Sequence, residues 1–250
     1  MTSDMLVVDH AVKRFGGLKA LDDVSLRIAP GEFVGLIGPN GAGKTTMFNA
    51  ISGASRLTEG TVSFQGSDVS KLSAHERCHM GIARTFQITK PFEGISVIEN
   101  VAIGAMFGTT DSKGLLSRKH MREGLEKAEV VLEKMDFLDK KDSPAGVLNV
   151  PERKRLEICR ALATDPKLLL LDEVIAGLNP SEVDEIVEIL KEINRSGVTI
   201  LMIEHVMRAV MNVSQRLYVL SFGKMIAEGA PLEVTSNPVV VEAYLGKKGV

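Results

Sequence analysis

The sequence predicts an α/β fold with a mostly parallel central sheet, an antiparallel β subdomain at the N-terminus and an inserted α-helical subdomain. Three observations predict it: short β-like runs open the chain, the middle segment has helical periodicity, and strands alternate with helices over the last hundred residues. A length of 250 residues suits one domain that includes a smaller subdomain.

The first elements are strands. The runs LVVDHAVKRF and ALDDVSLRI, separated by a turn at Gly16 and Gly17, predict an antiparallel pair. The continuous apolar run EFVGLIG predicts a buried strand, and KTTMFNAISG, after a glycine-rich loop, predicts a helix. EGTVSFQG is a further strand, and GIARTFQ is another candidate. The chain therefore contains a strand, loop and helix unit near residue 40.

The middle of the chain predicts helices. Apolar residues recur on one helical stripe across residues 118–135, and this stripe consists of Met121, Leu125, Ala128, Leu132 and Met135. We expect this segment to belong to a helical subdomain.

The last hundred residues alternate between strand and helix. KLLLLDE and VTILMIEH predict buried strands, and the helix NPSEVDEIVEILKEINRSG between them carries Ser181 and Asp184 as a capping box and Gly197 near its end. RLYVLSFGKMIAEG predicts a hairpin that turns at Phe222 and Gly223.

Charge and cysteine content exclude some classes of function. A formal net charge of -2 does not favour a diffuse attraction to nucleic acid, so a bound polyanion requires a local site. Cys78 and Cys159 form no CxxC pair, which predicts free thiols in a reducing compartment such as the cytosol. Without a signal segment or an apolar run of 18 residues, we expect a soluble chain that can still dock on a membrane protein.

A phosphate-binding loop lies between the third predicted strand and the first helix. GPNGAGKT matches G-x-x-x-x-G-K-[ST], and its context is the strand–loop–helix unit that such a loop requires. We expect main-chain N–H groups and Lys44 to bind phosphates and the Thr45 hydroxyl to ligate Mg²⁺. The predicted nucleotide-binding residues of this motif are Gly38, Pro39, Asn40, Gly41, Ala42, Gly43, Lys44, Thr45 and Thr46. The sequence therefore predicts a P-loop NTPase core.

Two carboxylates end the strand LLLLDE. Asp172 is expected to hold Mg²⁺ through water, and Glu173 to polarise the attacking water. His205 ends the next apolar strand and reaches a position parallel to Glu173 if the two strands are neighbours. Position alone leaves both a structural and a phosphate-contacting role open for His205, and the same holds for Gln87.

In this order, GPNGAGKTT, ARTFQ, LLLLDE, AGLNP and IEH resemble the nucleotide-binding subunits of ATP-binding cassette (ABC) transporters over nearly the whole chain. The resemblance implies ATP and Mg²⁺ as ligands, with Thr45, Gln87 and Asp172 at the metal. It also implies that Gln87 and His205 are the switch glutamine and histidine, and that Phe15 stacks on adenine. One ABC ATPase domain is then expected, with residues 1–87 and 165–250 as the nucleotide-binding core and 88–164 as the helical subdomain.

More narrowly, PFEGISVIENV, RLEICRALATDPKLLLLDE, AGLNPSE and EAYLG resemble the ATPase subunits of branched-chain amino acid importers. This resemblance implies transmembrane permease subunits, a separate substrate-binding protein and a peripheral location on the cytoplasmic face of the membrane. ATPases for urea or amide uptake or for lipopolysaccharide export, and a soluble cassette without a transport role, remain alternatives. A small-molecule kinase gains nothing from the Glu173 and His205 positions, and a DNA-maintenance cassette requires a long coiled coil that the sequence lacks.

In this family one helix begins with the signature Leu-Ser-Gly-Gly-Gln, and this sequence differs from that signature. Its five places are occupied by Leu148, Asn149, Val150, Pro151 and Glu152. Asn149 can still donate a side-chain N–H and cap the helix, whereas Pro151 has no N–H and Val150 adds bulk. Because the family's signature contacts the opposite subunit's phosphate, the resemblance implies either a heterodimer with one weakened ATP site or a homodimer. A variant without kinetic consequence is the third alternative.

Overall fold

The structure is a computed structural model that describes residues 4–85, 90–108 and 117–245. Gln87, for which a role at the metal and the water was predicted, lies outside these ranges. In chain order the strands are β1 (Leu6–Phe15), β2 (Leu18–Ile28), β3 (Phe33–Ile37), β4 (Glu59–Phe64), β5 (Ser67–Asp68), β6 (Ile82–Arg84), β7 (Leu168–Asp172), β8 (Thr199–Ile203), β9 (Arg216–Ser221) and β10 (Lys224–Gly229).

Helices cover both the core and the middle segment. In chain order they are α1 (Lys44–Ser52), α2 (Ala74–Met80), α3 (Val97–Phe107), α4 (Arg118–Lys134), α5 (Val150–Leu162), α6 (Pro180–Arg195), α7 (Met207–Val213), α8 (Pro231–Ser236) and α9 (Pro238–Leu245). Short 3-10 turns at Leu138–Lys140 and Ala145–Val147 precede α5. None of the helices in the described ranges has both the length and the hydropathy that a membrane crossing requires.

The N-terminal strands form an antiparallel sheet in the order β2-β1-β4-β5. Phe15 pairs with Leu18 across the turn at Gly16 and Gly17, as the sequence predicts. The larger sheet has the order β10-β9-β3-β8-β7-β6, and it is parallel except for β10, which pairs antiparallel with β9. The α/β class and the antiparallel N-terminal part are therefore confirmed.

The parallel strands place the candidate site. Every residue of β3, β7 and β8 is buried, which explains their continuous apolar sequences. Asp172, the last residue of β7, lies opposite Ile203, the last residue of β8. The chain segments that follow β3, β7 and β8 consequently emerge at one edge of the sheet, where ligands bind in open α/β folds.

The middle segment folds as helices α3, α4 and α5, which share a hydrophobic core. The predicted stripe on α4 is only partly correct, because Met121 is 48% exposed. The buried face instead runs through Gly124 and Ala128. At Gly124 the helices approach so closely that a Cβ would lie 2.6 Å from Cγ of Met106, so the contact is centred one turn after Met121.

The predicted capping box of α6 is wrong. The N-cap is Asn179, whose side chain accepts a hydrogen bond from Glu182 N, while the Glu182 side chain accepts one from Asn179 N. Ser181 and Asp184 lie within the helix. The earlier start follows from Pro180, whose fixed φ suits the first helical position.

Candidate active site

Glycines shape the loop between β3 and α1. Gly38 has a φ of 148° and Gly43 one of 105°, values that favour glycine. A Cβ on Gly43 would lie 2.5 Å from the carbonyl oxygen of Ala20, and one on Gly38 would collide with the carbonyl oxygen of Leu220. The loop therefore keeps its shape only with glycine at these two positions.

Two sets of hydrogen bonds hold the loop. Gly223 N, in the turn between β9 and β10, donates to the carbonyl oxygen of Ala42 at 3.0 Å. Lys44 Nζ donates to the carbonyl oxygens of Gly38 and Pro39 at 2.7 and 2.9 Å. The ammonium group has three N–H donors, and these two contacts hold it inside the curve of the loop.

The start of α1 differs from the starts of the next five helices. Each of α2 to α6 begins with a side chain that accepts from the first turn, whereas α1 has neither such a side chain nor an acidic residue in its first turn. Main-chain N–H groups and about half a positive charge are thus presented at this helix end. Together with the Lys44 ammonium, these donors fit the phosphates of a nucleotide.

A cleft of about 650 Å³ opens in front of this loop. Its apolar lining includes Phe15, which is 54% exposed and available for stacking on a base. The other predicted residues that line the cleft are Asn40, Gly41, Ala42, Gly43, Lys44, Thr45, Thr46, Glu173 and His205. The structure therefore brings most of the predicted nucleotide-binding residues together around one space.

Burial and nearby carboxylates have opposite effects on the pKa of Lys44. Burial lowers the pKa of its ammonium group, and the nearby carboxylates Glu173 and Asp172 act in the opposite direction on the same pKa. Partial desolvation of the ammonium group strengthens its electrostatic attraction to an incoming anion. A phosphate-binding site uses this arrangement.

Asp172, the last residue of β7, forms a buried ion pair with Arg84. Arg84 Nη2 donates to Asp172 Oδ2 at 2.7 Å, and the two side chains are 11% and 1% exposed respectively. The main-chain N–H of Asp172 donates to the Thr85 hydroxyl at 3.0 Å. The carboxylate is thus fixed at the end of β7, and carboxylate oxygens are ligands that Mg²⁺ prefers.

Glu173 and His205 meet across the ends of β7 and β8. His205 Nε2 lies 2.8 Å from Glu173 Oε1, so these side chains form a hydrogen-bonded pair. Glu173 has a φ of 53°, in the left-handed region that non-glycine residues rarely adopt. β7 and β8 are neighbours, which was the condition for His205 to reach a position parallel to Glu173, and the contact between the two side chains is direct.

Two charged residues near this pair were missed by the sequence reasoning. Lys154 Nζ, from α5, donates to the carbonyl oxygen of Glu173 at 2.8 Å. Glu204 is 1% exposed, and burial raises the pKa of its carboxyl to about 7. The signal for Glu204 was available, because a carboxylate directly precedes His205 at the end of an apolar strand.

The signature residues, which differ from Leu-Ser-Gly-Gly-Gln, form a regular start of helix α5. Asn149 Oδ1 accepts from Glu152 N at 2.9 Å, and Glu152 Oε2 accepts from Asn149 N at 2.9 Å, which closes a capping box. Glu152 Oε1 lies 3.1 Å from Lys140 Nζ, so its charge is directed back toward the protein. Pro151 occupies the first turn of α5, Val150 is 57% exposed and Leu148 is buried.

Residues 21–176 match the family described as ABC transporter. With this match, the P-loop fold and the phosphate loop, the chain belongs to the ABC transporter family, and it is an ATP-binding cassette ATPase. Residues 224–249 also match the family described as branched-chain amino acid ATP-binding cassette transporter. The high-affinity branched-chain amino acid transport ATP-binding protein LivG of Salmonella typhimurium is 40% identical over 254 residues, which cover 99% of this chain and 100% of LivG.

Solved structures agree with this assignment. The ADP conformation of MJ1267, an ATP-binding cassette of an ABC transporter, is 38% identical with a TM-score of 0.88, and the similarity covers 98% of this chain and 100% of that one. The dimeric post-hydrolysis state of the ATP-binding cassette MJ0796 bound to ADP and Pi is 25% identical with a TM-score of 0.77, over 91% and 99% of the two chains.

Proposed function

We propose that the chain is the ATP-hydrolysing subunit of an ABC transporter that powers the import of branched-chain amino acids. One observation carries the proposal: the loop at the uncapped start of α1 faces the paired Glu173 and His205 across one cleft. The similarity to LivG supports the substrate class.

The residues divide into binding and hydrolysing groups. The loop N–H groups and Lys44 bind the phosphates of ATP, and Phe15 stacks on the adenine. Thr45 and Gln87 are the proposed direct Mg²⁺ ligands, and Asp172 is proposed to hold the cation through water; all three offer the oxygen atoms that this hard cation prefers. When bound, the cation supplies charge neutralisation at the phosphates.

Hydrolysis uses the pair at the other wall of the cleft. The Glu173 carboxylate accepts a hydrogen bond from the attacking water and so orients and polarises it. His205 holds the Glu173 carboxylate through the 2.8 Å contact. Because a neutral imidazole has one N–H, donation to a γ-phosphate oxygen replaces this contact as the product forms. Positioning and charge stabilisation are the main protein contributions to phosphoryl transfer, and both act here.

The active assembly is proposed to be a dimer of ABC ATPase subunits, as in the dimeric MJ0796 structure. The signature of one subunit then serves the other subunit's nucleotide. Pro151 offers no N–H, and the side-chain oxygen Oδ1 of Asn149 is used for capping, which leaves the side-chain NH₂ group of Asn149 as the donor.

Loss of a donor aimed at transition-state charge costs about 2.7–4 kcal/mol, so the site served by this signature should hydrolyse ATP roughly 10²- to 10³-fold more slowly. We therefore propose a heterodimer with a different ATPase that carries a regular signature. A homodimer of this chain that hydrolyses ATP at full rate contradicts the asymmetric arrangement.

The remaining partners are transmembrane permease subunits and a separate substrate-binding protein, with the chain at the cytoplasmic face of the inner membrane. The nucleotide-binding core comprises residues 1–87 and 165–250, and the helical subdomain of residues 88–164 holds the permease-docking surface, in the region of residues 89–142. ATP binding closes the dimer and hydrolysis reopens it, which moves the permeases.

The test is a membrane pull-down that identifies the bound permeases and any second ATPase, followed by reconstitution of the purified complex in lipid vesicles. We expect ATP-dependent uptake of leucine, isoleucine and valine, and no uptake with Lys44→Ala. Uptake of urea or short amides instead, or co-purification without a multi-spanning partner, would contradict the proposed substrate class or the transport role respectively.

A further inference from the structure

Glu204 is a buried carboxylate with both oxygens engaged by main-chain N–H groups. It follows the last residue of β8 and is 1% exposed. Its Oε1 accepts from Ile175 N at 2.8 Å, and its Oε2 accepts from His205 N at 3.2 Å. One side chain therefore bridges two chain segments that have already left the sheet.

The two bridged segments carry the hydrolytic pair. Ile175 lies two residues after Glu173, and His205 is the second bridged residue itself. The last main-chain bond between the segments joins Glu173 N to the carbonyl oxygen of Ile203 at 3.0 Å. Beyond that bond the Glu204 carboxylate connects the two segments, and the Glu173 and His205 side chains form a second connection.

A third segment joins this arrangement through Lys154. Its ammonium donates to the carbonyl oxygen of Glu173 at 2.8 Å and interacts favourably with the charge of Glu204. Lys154 lies in α5, two residues after Glu152, the last residue of the signature. The signature helix, the Glu173 segment and the His205 segment thus converge on Glu204 and Lys154.

We propose that Glu204 is a positioning residue for ATP hydrolysis, which holds the main chain around Glu173 and His205 so that their side chains keep the 2.8 Å contact. The inference rests on the proposed hydrolytic roles of Glu173 and His205. Glu204 does not line the nucleotide cleft, so it acts on the rate of hydrolysis and not on ATP binding.

Glu204→Gln tests this role with little change in shape. An amide has only one oxygen acceptor, and its NH₂ group opposes the second main-chain N–H. Misplacement of reacting groups by about 1 Å costs on the order of 10²-fold, so we expect kcat for ATP to fall roughly 10- to 100-fold. The dissociation constant for ATP should stay within about twofold, because uniform binding is untouched.

The measurements use the full chain in its assembled complex, at a pH of about 8, where a carboxyl with a pKa near 7 is mostly ionised. Glu192→Gln, an exposed carboxylate on α6, is the matched control and should leave kcat unchanged. A Glu204→Gln rate within about twofold of wild type overturns the proposal. A similar fold-loss in kcat and in ATP affinity, together with a lower melting temperature, also overturns it, because that result indicates a purely structural carboxylate.

Lys154→Met provides a second test if the Glu204 variant does not fold. It removes the donor to the Glu173 carbonyl oxygen and keeps most of the length of the side chain, so kcat should fall about 3- to 10-fold with ATP affinity retained. An unchanged kcat overturns the proposal. If wild type and Glu192→Gln also fail to hydrolyse ATP, the proposed function fails and not the role of Glu204.

Discussion

Replacing Arg84 with methionine tests how strongly the buried ion pair at the end of β7 supports the fold. Arg84 Nη2 lies 2.7 Å from Asp172 Oδ2, and the side chains are 11% and 1% exposed. Methionine fills part of the same space but leaves the carboxylate without its cation. A buried pair broken on one side costs about 3–5 kcal/mol, so Arg84→Met should lose that much unfolding free energy at neutral pH.

The chain offers a matched exposed pair as a control. Arg208 Nη2 lies 2.7 Å from both carboxylate oxygens of Asp184, with side chains 68% and 52% exposed. Because solvent screens such a pair, Arg208→Met should cost at most about 1 kcal/mol. Urea denaturation followed by circular dichroism measures both variants.

The double variant Arg84→Met/Asp172→Asn completes the measurement. It removes the stranded charge, so it should be less destabilised than the sum of the two single variants by about 1–3 kcal/mol. If Arg84→Met loses no more unfolding free energy than Arg208→Met, burial does not set the strength of these ion pairs and the reasoning is wrong.

Three further predictions concern the loop, the buried carboxyl and the signature. Gly43→Ala brings a Cβ against the carbonyl oxygen of Ala20 and should weaken ATP binding at least about 10-fold in a fluorescent-nucleotide titration. Because the folded pKa of Glu204 is about 7, above its usual 4.5, its contribution to stability is complete below the usual value and is lost as pH rises through 7. Relative to Glu204→Gln, wild type should lose about 3 kcal/mol of unfolding free energy over that range. Pro151→Gly restores a main-chain N–H and should raise the ATPase rate of a homodimer of this chain roughly 10²-fold.

Each of these has a contradicting outcome. Gly17→Ala adds a Cβ in open space and should leave ATP binding unchanged, so an equal loss in both glycine variants would contradict the steric argument. A pH-independent stability difference between wild type and Glu204→Gln would show that the buried carboxyl does not titrate near neutral pH. An unchanged rate for Pro151→Gly would mean that the missing N–H has no kinetic effect.

Local sequence patterns predicted the order of the strands and helices, because apolar runs and turn residues determine the structure of the segments in which they lie. Continuous apolar runs gave the buried strands β3, β7 and β8, and Phe222-Gly223 marked the hairpin turn. The start of α6 was misplaced because two capping boxes overlap in the sequence, and the fixed φ of Pro180 favours the earlier one.

The site was predictable only in part. The phosphate loop follows a fixed spacing, and parallel neighbouring strands bring Glu173 beside His205. The Arg84–Asp172 pair joins residues 88 positions apart, and its existence depends on β6 pairing with β7. No local pattern in the sequence reports such a contact.

The packing of the loop against the β9–β10 turn has a consequence during synthesis. Gly223 N donates to the Ala42 carbonyl oxygen, and Gly38 lies against the Leu220 carbonyl oxygen. On the ribosome, a nascent chain that already carries the whole loop motif lacks these two contacts until Leu220 and Gly223 have been translated. Nucleotide binding should consequently occur late in the synthesis of the protein, and chains released early should be unable to retain ATP.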